Sequence, residues 1–490
     1  MQKKKDRTML KKMREKLPKL TILEIMVLLM ALGLYLGWAA LITFNTAPTS
    51  APDELMRYML PDFIFRYNRL PTGYDPEVIH GIGNWSYAFY PQFLGPILSA
   101  LFMNIISLFR SGPFVLVFAA RMTSVLAGIT TVFFVNRTLR VLTKNVKISL
   151  LGMTMIAFWP QFAFLSSYIN NDIIALAGVS IMIYAAATSL ESGWTVKGSI
   201  TLAIGMAICL LSYLNSYGFV LAFGLYFLVS NFLDIRKKQL EWKYFWKKFA
   251  VIFGIVAILW FPFLGRNAIL YNGDLFGFNS FNAAMFEWEQ NESMEWAMYN
   301  AKEWSNTHNI PWDENTVFRW INEATAFEYR GGYISTGNPF EGSLAELLRD
   351  RYWREITGKS FVTTIYFALA DHFSRFVYWF YGGLILTSVF GMIRIKSLNS
   401  RQKYFVGGCG LGALITIGLF LIYNLYRDSQ PQGRYFIGIL VPLAMAMAIG
   451  VDTLLKKAPQ RVQAIGVYSI IVACIGSMIY VFGEFVKLRF

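Results

Sequence analysis

Long apolar runs separated by short polar loops dominate this chain from one end to the other. Several of these runs exceed about 18 residues and carry few charges, which is the length at which an α-helix begins to span a bilayer. The runs lie near 21–43, 92–109, 113–135, 148–166, 173–190, 198–214, 217–234, 247–264, 377–394, 403–424, 434–451 and 464–485. The pattern predicts an all-α, polytopic membrane protein.

The basic residues indicate which of these runs cross the membrane. Lys and Arg concentrate in four loops, at 137–147, 236–248, 394–403 and 456–461. If the run at 92–109, which Pro91, Gly95 and Pro96 interrupt, does not cross, all four loops lie inside, as the positive-inside rule favours. If all twelve runs cross, the first two loops lie outside. We therefore predict about eleven transmembrane helices, a cytoplasmic N-terminus and an external C-terminus.

This topology divides the chain into four parts. A basic cytoplasmic segment at 1–20 precedes a transmembrane module at 21–264, whose first external loop covers 45–110. An external domain follows at 265–376, and C-terminal transmembrane helices occupy 377–490. The external domain is rich in Trp, Asn, Glu and Asp, which is typical of a small helical ectodomain. Its tryptophans either stack on sugars or fill its core and rest on the membrane, and both interpretations stay open.

The overall composition agrees with a membrane location. The chain has 490 residues, 55% of them hydrophobic, with a mean hydropathy of +0.43. The net charge of +15 would suggest nucleic acid in a soluble protein. Here the basic residues fall in loops between apolar runs, so we expect no nucleic-acid partner. Cys209, Cys409 and Cys474 lie far apart in apolar segments, which indicates neither disulfides nor a cysteine metal site.

The polar groups that suggest chemistry all fall on the predicted outer face. An acidic pair, Asp53 and Glu54, directly follows the first span, where a lipid-borne substrate would meet a carboxylate. The other candidates on this face are Arg57, Glu77, His80, Asp172, Arg266, Asp274, Arg434 and Tyr435. An arginine fork matches phosphate geometry, and a carboxylate removes a proton or holds a divalent cation. The set indicates a reaction that activates a hydroxyl beside a phosphate.

Simpler interpretations exist for three of these residues. Asp53 could cap a helix that begins at Glu54, because Pro-Asp before a helical stretch is a common start. Asp172 could likewise cap the span that follows it. Arg434 could be an ordinary snorkelling residue at the membrane interface. Both kinds of interpretation stay open at the level of the sequence.

Two further observations narrow the chemistry. His80, His308 and His372 are isolated histidines, for which a structural role is the simpler interpretation. Arg121 lies within a span, where a charge is unfavourable unless paired, so it could reach an acidic group near the outer face. The sequence has no HExxH motif, nucleophile elbow, P-loop or GxGxxG motif, so no nucleotide cofactor is expected.

Four motifs, taken in order, resemble those of the GT-C superfamily of membrane glycosyltransferases. They are PDELMRY at 52–58, FWPQFAFLSSYINND at 158–172, RNAILYNGD at 266–274 and QPQGRYF at 430–436. The chain is most similar to a bacterial branch around the protein O-mannosyltransferases and the DUF2142-like membrane proteins. The motifs extend over most of the chain, with seven predicted spans before the external domain.

The resemblance implies an inverting transfer of a sugar from a polyprenyl-phosphate donor to an extracytoplasmic acceptor, such as a cell-surface glycan or glycopolymer. It implies that Asp53 is the base and Glu54 its supporting acid. It also implies that Asp172 and Glu77, with His80 beside them, support the base or a divalent metal such as Mg or Mn. The donor phosphate would contact Arg57, Arg266, Arg434 and Tyr435. The chain departs from the pattern at Asn215–Ser216, where a basic residue is expected.

Three alternatives stay open. A transporter or flippase for lipid-linked sugars would carry polar groups deep in several spans, along a path. An oligosaccharide ligase or polymerase would use a lipid-diphosphate donor instead of a monophosphate. A catalytically silent scaffold would tolerate acid-to-amide changes. The acids cluster at one face of the predicted bundle, which favours an enzyme integral to the cytoplasmic membrane with an external active site.

Overall fold

The computed structural model describes residues 19–45, 51, 53–80, 86–291, 375–426 and 433–489. Over these ranges the protein is helical and has no β-strand. Nearly all of the predicted cytoplasmic segment and most of the predicted external domain, from 292 to 374, lie outside the described residues. So do Gln430–Gln432 of the last motif.

The described α-helices follow one another with short connections. They are α1 (Ile22–Asn45), α2 (Glu54–Tyr67), α3 (Leu94–Ser107), α4 (Pro113–Thr143), α5 (Val146–Ala157), α6 (Pro160–Leu165), α7 (Asp172–Ser192), α8 (Val196–Leu210), α9 (Tyr217–Arg236), α10 (Trp242–Leu270), α11 (Phe278–Asn291), α12 (Arg375–Ile393), α13 (Ser400–Tyr426), α14 (Leu440–Leu455) and α15 (Gln460–Arg489). Short 3₁₀ turns at Pro76–Val78, Tyr87–Phe89, Leu214–Ser216, Arg394–Ser397 and Gly433–Ile439 join some of them.

Eight helical segments of the described chain are long and apolar enough to cross a membrane. They are Ile22–Phe44, Pro113–Thr143, Asp172–Glu191, Leu214–Arg236, Trp242–Leu270, Ser400–Leu421, Ile437–Leu455 and Gln460–Lys487. The expectation of an all-α, polytopic membrane protein is therefore confirmed. Helices α5 and α8 are apolar but shorter, with 12 and 15 residues. The count of eleven spans stays a prediction.

Helix α3 corresponds to the apolar run that the charge pattern excludes from crossing. Its 14 residues extend about 21 Å at 1.5 Å per residue, less than the hydrocarbon core of about 30 Å. The Leu94 N–H donates to the Leu211 carbonyl at 3.2 Å, just beyond the end of α8. The Ser99 hydroxyl donates to the Ala120 carbonyl in α4 at 3.0 Å. This geometry favours a juxtamembrane or re-entrant helix.

A break between α5 and α6 interrupts the stretch that leads to Asp172. Helix α5 ends at Ala157, and Pro160, which lacks an N–H and is favoured at a helix start, begins α6. The Tyr35 hydroxyl donates to the Ala157 carbonyl at 2.8 Å, and the Tyr381 hydroxyl to the Phe158 carbonyl at 2.9 Å. These buried hydroxyls satisfy backbone groups that have no access to water, which makes a broken helix possible in the interior.

Helix α7 lies at the centre of the bundle and packs on α4, α8 and α9. Its contact with α8 is close because two glycines oppose each other. A Cβ at Gly178 would lie 2.8 Å from the Gly205 carbonyl oxygen, and a Cβ at Gly205 equally close to that of Gly178. Small residues of this kind allow membrane helices to pack backbone to backbone. The N-terminus of α7, and with it Asp172, is therefore held rigidly.

Ion pairs join the helices at the end of the bundle that carries the basic loops. Glu24 in α1 is fully buried and accepts from Arg140 Nε at 2.9 Å and Nη2 at 2.5 Å. The other pairs at this end are Lys144–Glu191, Arg401–Asp234 and Arg394–Asp452. Buried charges stay in place only when paired in this way. The Glu24–Arg140 pair joins α1 to α4, the Arg401–Asp234 pair joins α13 to α9, and the Arg394–Asp452 pair joins the turn after α12 to α14, whereas the Lys144–Glu191 pair is exposed.

Candidate active site

The opposite end of the bundle, called here the Asp53 end, brings together three parts of the chain. Asp53 precedes α2, Asp172 opens α7, and Arg434 lies in the 3₁₀ turn before α14. Asp53 has a left-handed backbone, with φ 58° and ψ 6°, and its side chain makes no capping hydrogen bond. Its carboxylate instead accepts from Arg434 Nη2. The capping interpretation of Asp53 is therefore wrong.

Arg434 is buried, with 2% of its side chain exposed, whereas 29% of the Asp53 side chain is exposed. Its Nη2 also donates to the Tyr435 hydroxyl at 3.2 Å, and the guanidinium lies 5.1 Å from the Tyr435 ring centroid. A snorkelling arginine keeps its charged head in water. Arg434 does not, so the snorkelling interpretation is wrong.

A second pair, Arg57 and Asp172, lies at the same end. Arg57 Nη2 is 3.8 Å from Asp172 Oδ2, and the guanidinium lies 5.3 Å and 5.9 Å from the ring centroids of Tyr87 and Tyr213. Both residues are buried, yet neither Asp172 oxygen nor Arg57 Nε has a hydrogen-bond partner among the described residues. The pair is thus charge-balanced but incompletely hydrogen-bonded.

Asp172 does not cap α7, contrary to the simpler interpretation of its position. The Asn170 side-chain oxygen accepts from the Ile173 N–H at 3.0 Å and serves as the cap. Asn170 is itself held by its side-chain amide, which donates to the Leu165 carbonyl at 2.6 Å. The Asp172 carboxylate is consequently available to face Arg57.

The two arginines determine the ionisation of Asp53. Burial on its own raises the pKa of this carboxyl, but the charges of Arg434 and Arg57 and the hydrogen bond from Arg434 outweigh burial and lower the pKa below its ordinary value. The charge of His80 acts in the same direction. Asp53 is therefore a carboxylate at neutral pH, able to accept a proton.

Glu54 and Arg121 form a separate and fully buried pair next to this cluster. Arg121 donates from Nε at 2.8 Å and from Nη2 at 2.6 Å to the two Glu54 oxygens. The Ile169 N–H adds a third bond to Glu54 at 2.9 Å, and Arg121 Nη1 reaches the Thr43 hydroxyl at 2.6 Å. The expectation that Arg121 reaches an acidic group at this end is confirmed. The pair ties α2 to α1, α4 and the segment before α7.

A cleft opens beside Asp172 and Arg434 and extends along α7. Ala175, Leu176 and Val179 line it three, four and seven positions after Asp172, on one face of that helix. Its polar wall includes Tyr213, Asn215 and Tyr435. The side-chain amide of Asn215 also donates to the Tyr435 carbonyl at 3.2 Å. The cleft is therefore polar at the Asp53 end and apolar about 10 Å further along α7, at 1.5 Å per residue.

The residues expected to hold a metal do not come together. Glu77 is exposed and accepts from the Tyr67 hydroxyl at 3.1 Å. Asp53 and Asp172 face arginines, and in the part of the chain that the structure describes no three His, Cys, Asp or Glu side chains group as metal ligands. Asp172, Glu77 and His80 thus do not fit a site for Mg or Mn.

Arg266 and its motif anchor the first external loop. Arg266 Nη2 donates to the Pro71 carbonyl at 2.5 Å, and its guanidinium lies 5.1 Å from the Phe93 ring centroid. The Asn267 side-chain amide donates to the Phe89 carbonyl at 2.9 Å. The Tyr271 hydroxyl accepts from the Gly73 N–H at 2.8 Å and donates to the Ala88 carbonyl at 3.2 Å. These contacts attach the loop to the end of α10.

Two aromatic residues of the cluster were not anticipated from the sequence. Tyr87 and Tyr213 flank the Arg57 guanidinium; Tyr87 begins one 3₁₀ turn and Tyr213 directly precedes another. Tyr213 was within reach of sequence reasoning, because it lies two positions before Asn215, where the GT-C pattern leads one to expect a basic residue. Tyr87 carries no comparable pattern, since aromatic residues are frequent throughout the loop at 45–110.

Comparison with solved structures shows what this fold is similar to. The archaeal oligosaccharyltransferase of Archaeoglobus fulgidus in its apo form superposes with a TM-score of 0.51 at 14% identity, over 94% of this chain and 56% of that one. The archaeal oligosaccharyltransferase AglB from Archaeoglobus fulgidus, in complex with an inhibitory peptide and a dolichol-phosphate, gives a TM-score of 0.48 at 13% identity, over 94% of this chain and 55% of that one. ArnT from Cupriavidus metallidurans bound to undecaprenyl phosphate gives 0.39 at 12% identity, over 88% and 77%.

The first of these likenesses confirms the expected GT-C fold. The chain spans only about half the length of the archaeal oligosaccharyltransferase chains. No protein-family model matches the sequence, and no curated protein does. The closer assignment to the protein O-mannosyltransferase or DUF2142-like branch stays a prediction.

Proposed function

We propose that this protein is an inverting glycosyltransferase that moves a sugar from a polyprenyl-phosphate donor to a glycan acceptor outside the cytoplasm. The observation that carries the proposal is the cluster of Asp53, Arg434, Arg57 and Asp172 at the mouth of a cleft that becomes apolar along α7. The lining suits a lipid-borne phosphate in its chemistry, because the headgroup needs cations and the chain needs an apolar wall. The GT-C fold agrees with this assignment.

In this reaction an acceptor hydroxyl attacks the anomeric carbon of the donor sugar. Asp53 takes the hydroxyl proton as the new carbon–oxygen bond forms. The bond between the anomeric carbon and the phosphate oxygen breaks on the opposite side, and the polyprenyl phosphate leaves with the electron pair. A single displacement inverts the anomeric configuration and needs one carboxylate, with no covalent intermediate.

The leaving phosphate gains negative charge, which nearby cations stabilise. We assign this role to Arg434 and Arg57, with Tyr435 positioning Arg434 by their hydrogen bond. Asp172 holds Arg57 in place beside the rings of Tyr87 and Tyr213. The side chains of this cluster do not fit a divalent cation as its ligands, so we assign the reaction no step through a metal ion.

Glu54 is proposed to act through position rather than through contact with substrate. Both of its oxygens are bound to Arg121 inside the protein. It orients the start of α2, and therefore its neighbour Asp53. Arg266 is proposed to affect donor binding only through the loop that it anchors. Glu77 and His80 are proposed to shape the entrance for the acceptor.

The test is an assay of the purified protein in lipid nanodiscs with two radiolabelled donors. One donor is a polyprenyl monophosphate sugar and the other a polyprenyl diphosphate sugar, each offered with a delipidated cell-envelope extract as acceptor. We expect label to enter the extract from the monophosphate donor only, and Asp53→Asn to prevent it. Transfer from the diphosphate donor alone would instead identify a ligase or polymerase. Movement of either donor across the bilayer without transfer would identify a flippase.

A further inference from the structure

We propose that Arg434 is shared between Asp53 and the donor phosphate, so that binding of the donor releases the carboxylate that serves as base. This inference rests on the proposed function and adds the order in which donor binding and proton removal take place. Before the donor binds, Arg434 pairs with Asp53. Once the phosphate occupies the guanidinium, Asp53 is free to accept the acceptor proton.

The two neighbouring acids differ in how firmly they are held. Glu54 is fully buried and receives three hydrogen bonds, from Arg121 Nε and Nη2 and from the Ile169 N–H. Asp53 is 29% exposed and its side chain does not cap α2. A carboxylate that is partly solvated exchanges its partner far more readily than one enclosed by the core, because water stabilises the released charge.

Arg434, Tyr435 and Asp172 line the cleft, whereas Asp53 is not among its lining residues. An anion held in the cleft therefore contacts the guanidinium without contacting the Asp53 carboxylate. A guanidinium fork binds phosphate through two parallel hydrogen bonds, which makes phosphate a strong competitor for a carboxylate partner.

The charges of the cluster support this exchange. Two carboxyl groups, Asp53 and Asp172, face two guanidinium groups, Arg434 and Arg57, before the donor binds. A phosphodiester adds one negative charge, and the partly exposed Asp53 is the carboxylate best able to give up its partner. The released carboxylate is then a stronger base, because the neighbouring cation no longer stabilises its charged form as well. Proton removal is thereby confined to the donor-bound enzyme.

The direction in which the Asp53→Asn substitution changes the affinity for a lipid phosphate tests the proposal. The probe is undecaprenyl phosphate, titrated into the full-length protein in nanodiscs, with undecaprenol as the control that lacks the phosphate. If Asp53 competes with phosphate, Asp53→Asn binds the probe more tightly, by about tenfold for a competing interaction of about 1.4 kcal/mol. If Asp53 merely holds Arg434 in place for the phosphate, the same variant binds more weakly.

Two control variants isolate the effect. Asp75→Asn makes the same chemical change in the same loop, where Asp75 pairs with Arg69, and should leave the affinity unchanged. Combining Asp53→Asn with Arg434→Gln should abolish the gain, because the contested guanidinium is gone. Unchanged or weaker binding by Asp53→Asn overturns the exchange while leaving the proposed function intact. Failure of the wild-type protein to bind either undecaprenyl phosphate or undecaprenol overturns the exchange and the proposed function together.

Discussion

Asp53 and Glu54 are adjacent in sequence, yet their carboxylates face two different arginines in opposite surroundings. Glu54 binds Arg121 inside the bundle, and Asp53 binds Arg434 at the edge of the cleft. Asp53, at the position before α2, has a left-handed backbone, whereas Glu54 is the first residue of the helix. Non-glycine residues in this region are uncommon and concentrate at functional sites.

Replacing Asp53 should separate catalysis from folding. Asp53→Asn keeps the size of the side chain but removes a base at neutral pH, so we expect sugar transfer to fall by at least about 100-fold. Because Asp53 is not a cap, the variant should insert and fold. Turnover and thermal stability are measured on the same purified sample, with Asp75→Asn as the matched control. Near-normal turnover of the Asp53 variant would remove Asp53 from the reaction.

Arg434 and Arg266 should respond differently to the same substitution. Arg434→Lys keeps the charge but loses the fork, so affinity for a polyprenyl phosphate should fall severalfold, with little change in how the first external loop is protected from proteases. Arg266→Lys should loosen that loop, since it removes the bond to Pro71. Limited proteolysis and lipid titration on both variants give the comparison. Equal loss of affinity with an intact loop in both would place Arg266 at the phosphate.

The Glu54–Arg121 pair should matter for stability before it matters for chemistry. Glu54→Gln leaves a buried arginine without its counter-charge, which typically costs about 3–5 kcal/mol. We expect a large drop in the thermal midpoint, while the protein that remains folded still turns over donor. Exposed Glu77→Gln is the matched control. Full stability together with lost turnover would show that Glu54 takes part directly.

The ion pair of Asp53 makes stability depend on pH in a defined direction. Its pKa in the folded protein lies below the ordinary value of about 3.9, so its contribution is present at neutral pH and is lost as the pH falls below about 4. The difference in thermal midpoint between the wild type and Asp53→Asn should therefore shrink on acidification to pH 3. A difference that widens would mean that the carboxyl is stabilised in its neutral form.

The topology is open to cysteine labelling. We expect Lys144→Cys to react with an impermeant reagent only after the membrane is opened, and Glu77→Cys to react in intact cells. Both positions are exposed, and the three native cysteines are buried. Labelling of Lys144→Cys from outside would contradict the eleven-span topology.

The sequence predicted the fold class and the participants of the site better than their pairing. Apolar runs report spans directly, and an acid just after a span is conspicuous, which is why Asp53 was found. The sequence does not indicate the ion-pair partner of Asp53, because Arg434 is 381 positions away and no local pattern connects the two residues. Arg57 and Asp172 are likewise distant in sequence, and only the tertiary fold brings them together.

Two residues show why local patterns misled. Asp172 follows two asparagines, and either asparagine or aspartate makes a good cap, so the pattern did not reveal that Asn170 takes the role. Glu24 lies inside an apolar run and was not singled out, although Arg140, 116 positions away, neutralises it. In both cases a tertiary contact determines the role of the side chain, and the neighbouring sequence does not indicate that contact.

The attachment of the first external loop to α10 ties the surroundings of Arg57 to a helix long and apolar enough to cross a membrane. Helix α10 packs on α8, and its 29 residues extend about 43 Å at 1.5 Å per residue, longer than a hydrocarbon core of about 30 Å, so it fits a bilayer by tilting or by extending beyond it. Asn267, at its end, holds Phe89, and Phe89 ends the same turn that begins with Tyr87, which lies against Arg57. A change in bilayer thickness that altered the tilt of this helix would therefore move Tyr87 relative to Arg57. The thickness of the surrounding lipid would thus reach the Asp53 end through one aromatic ring.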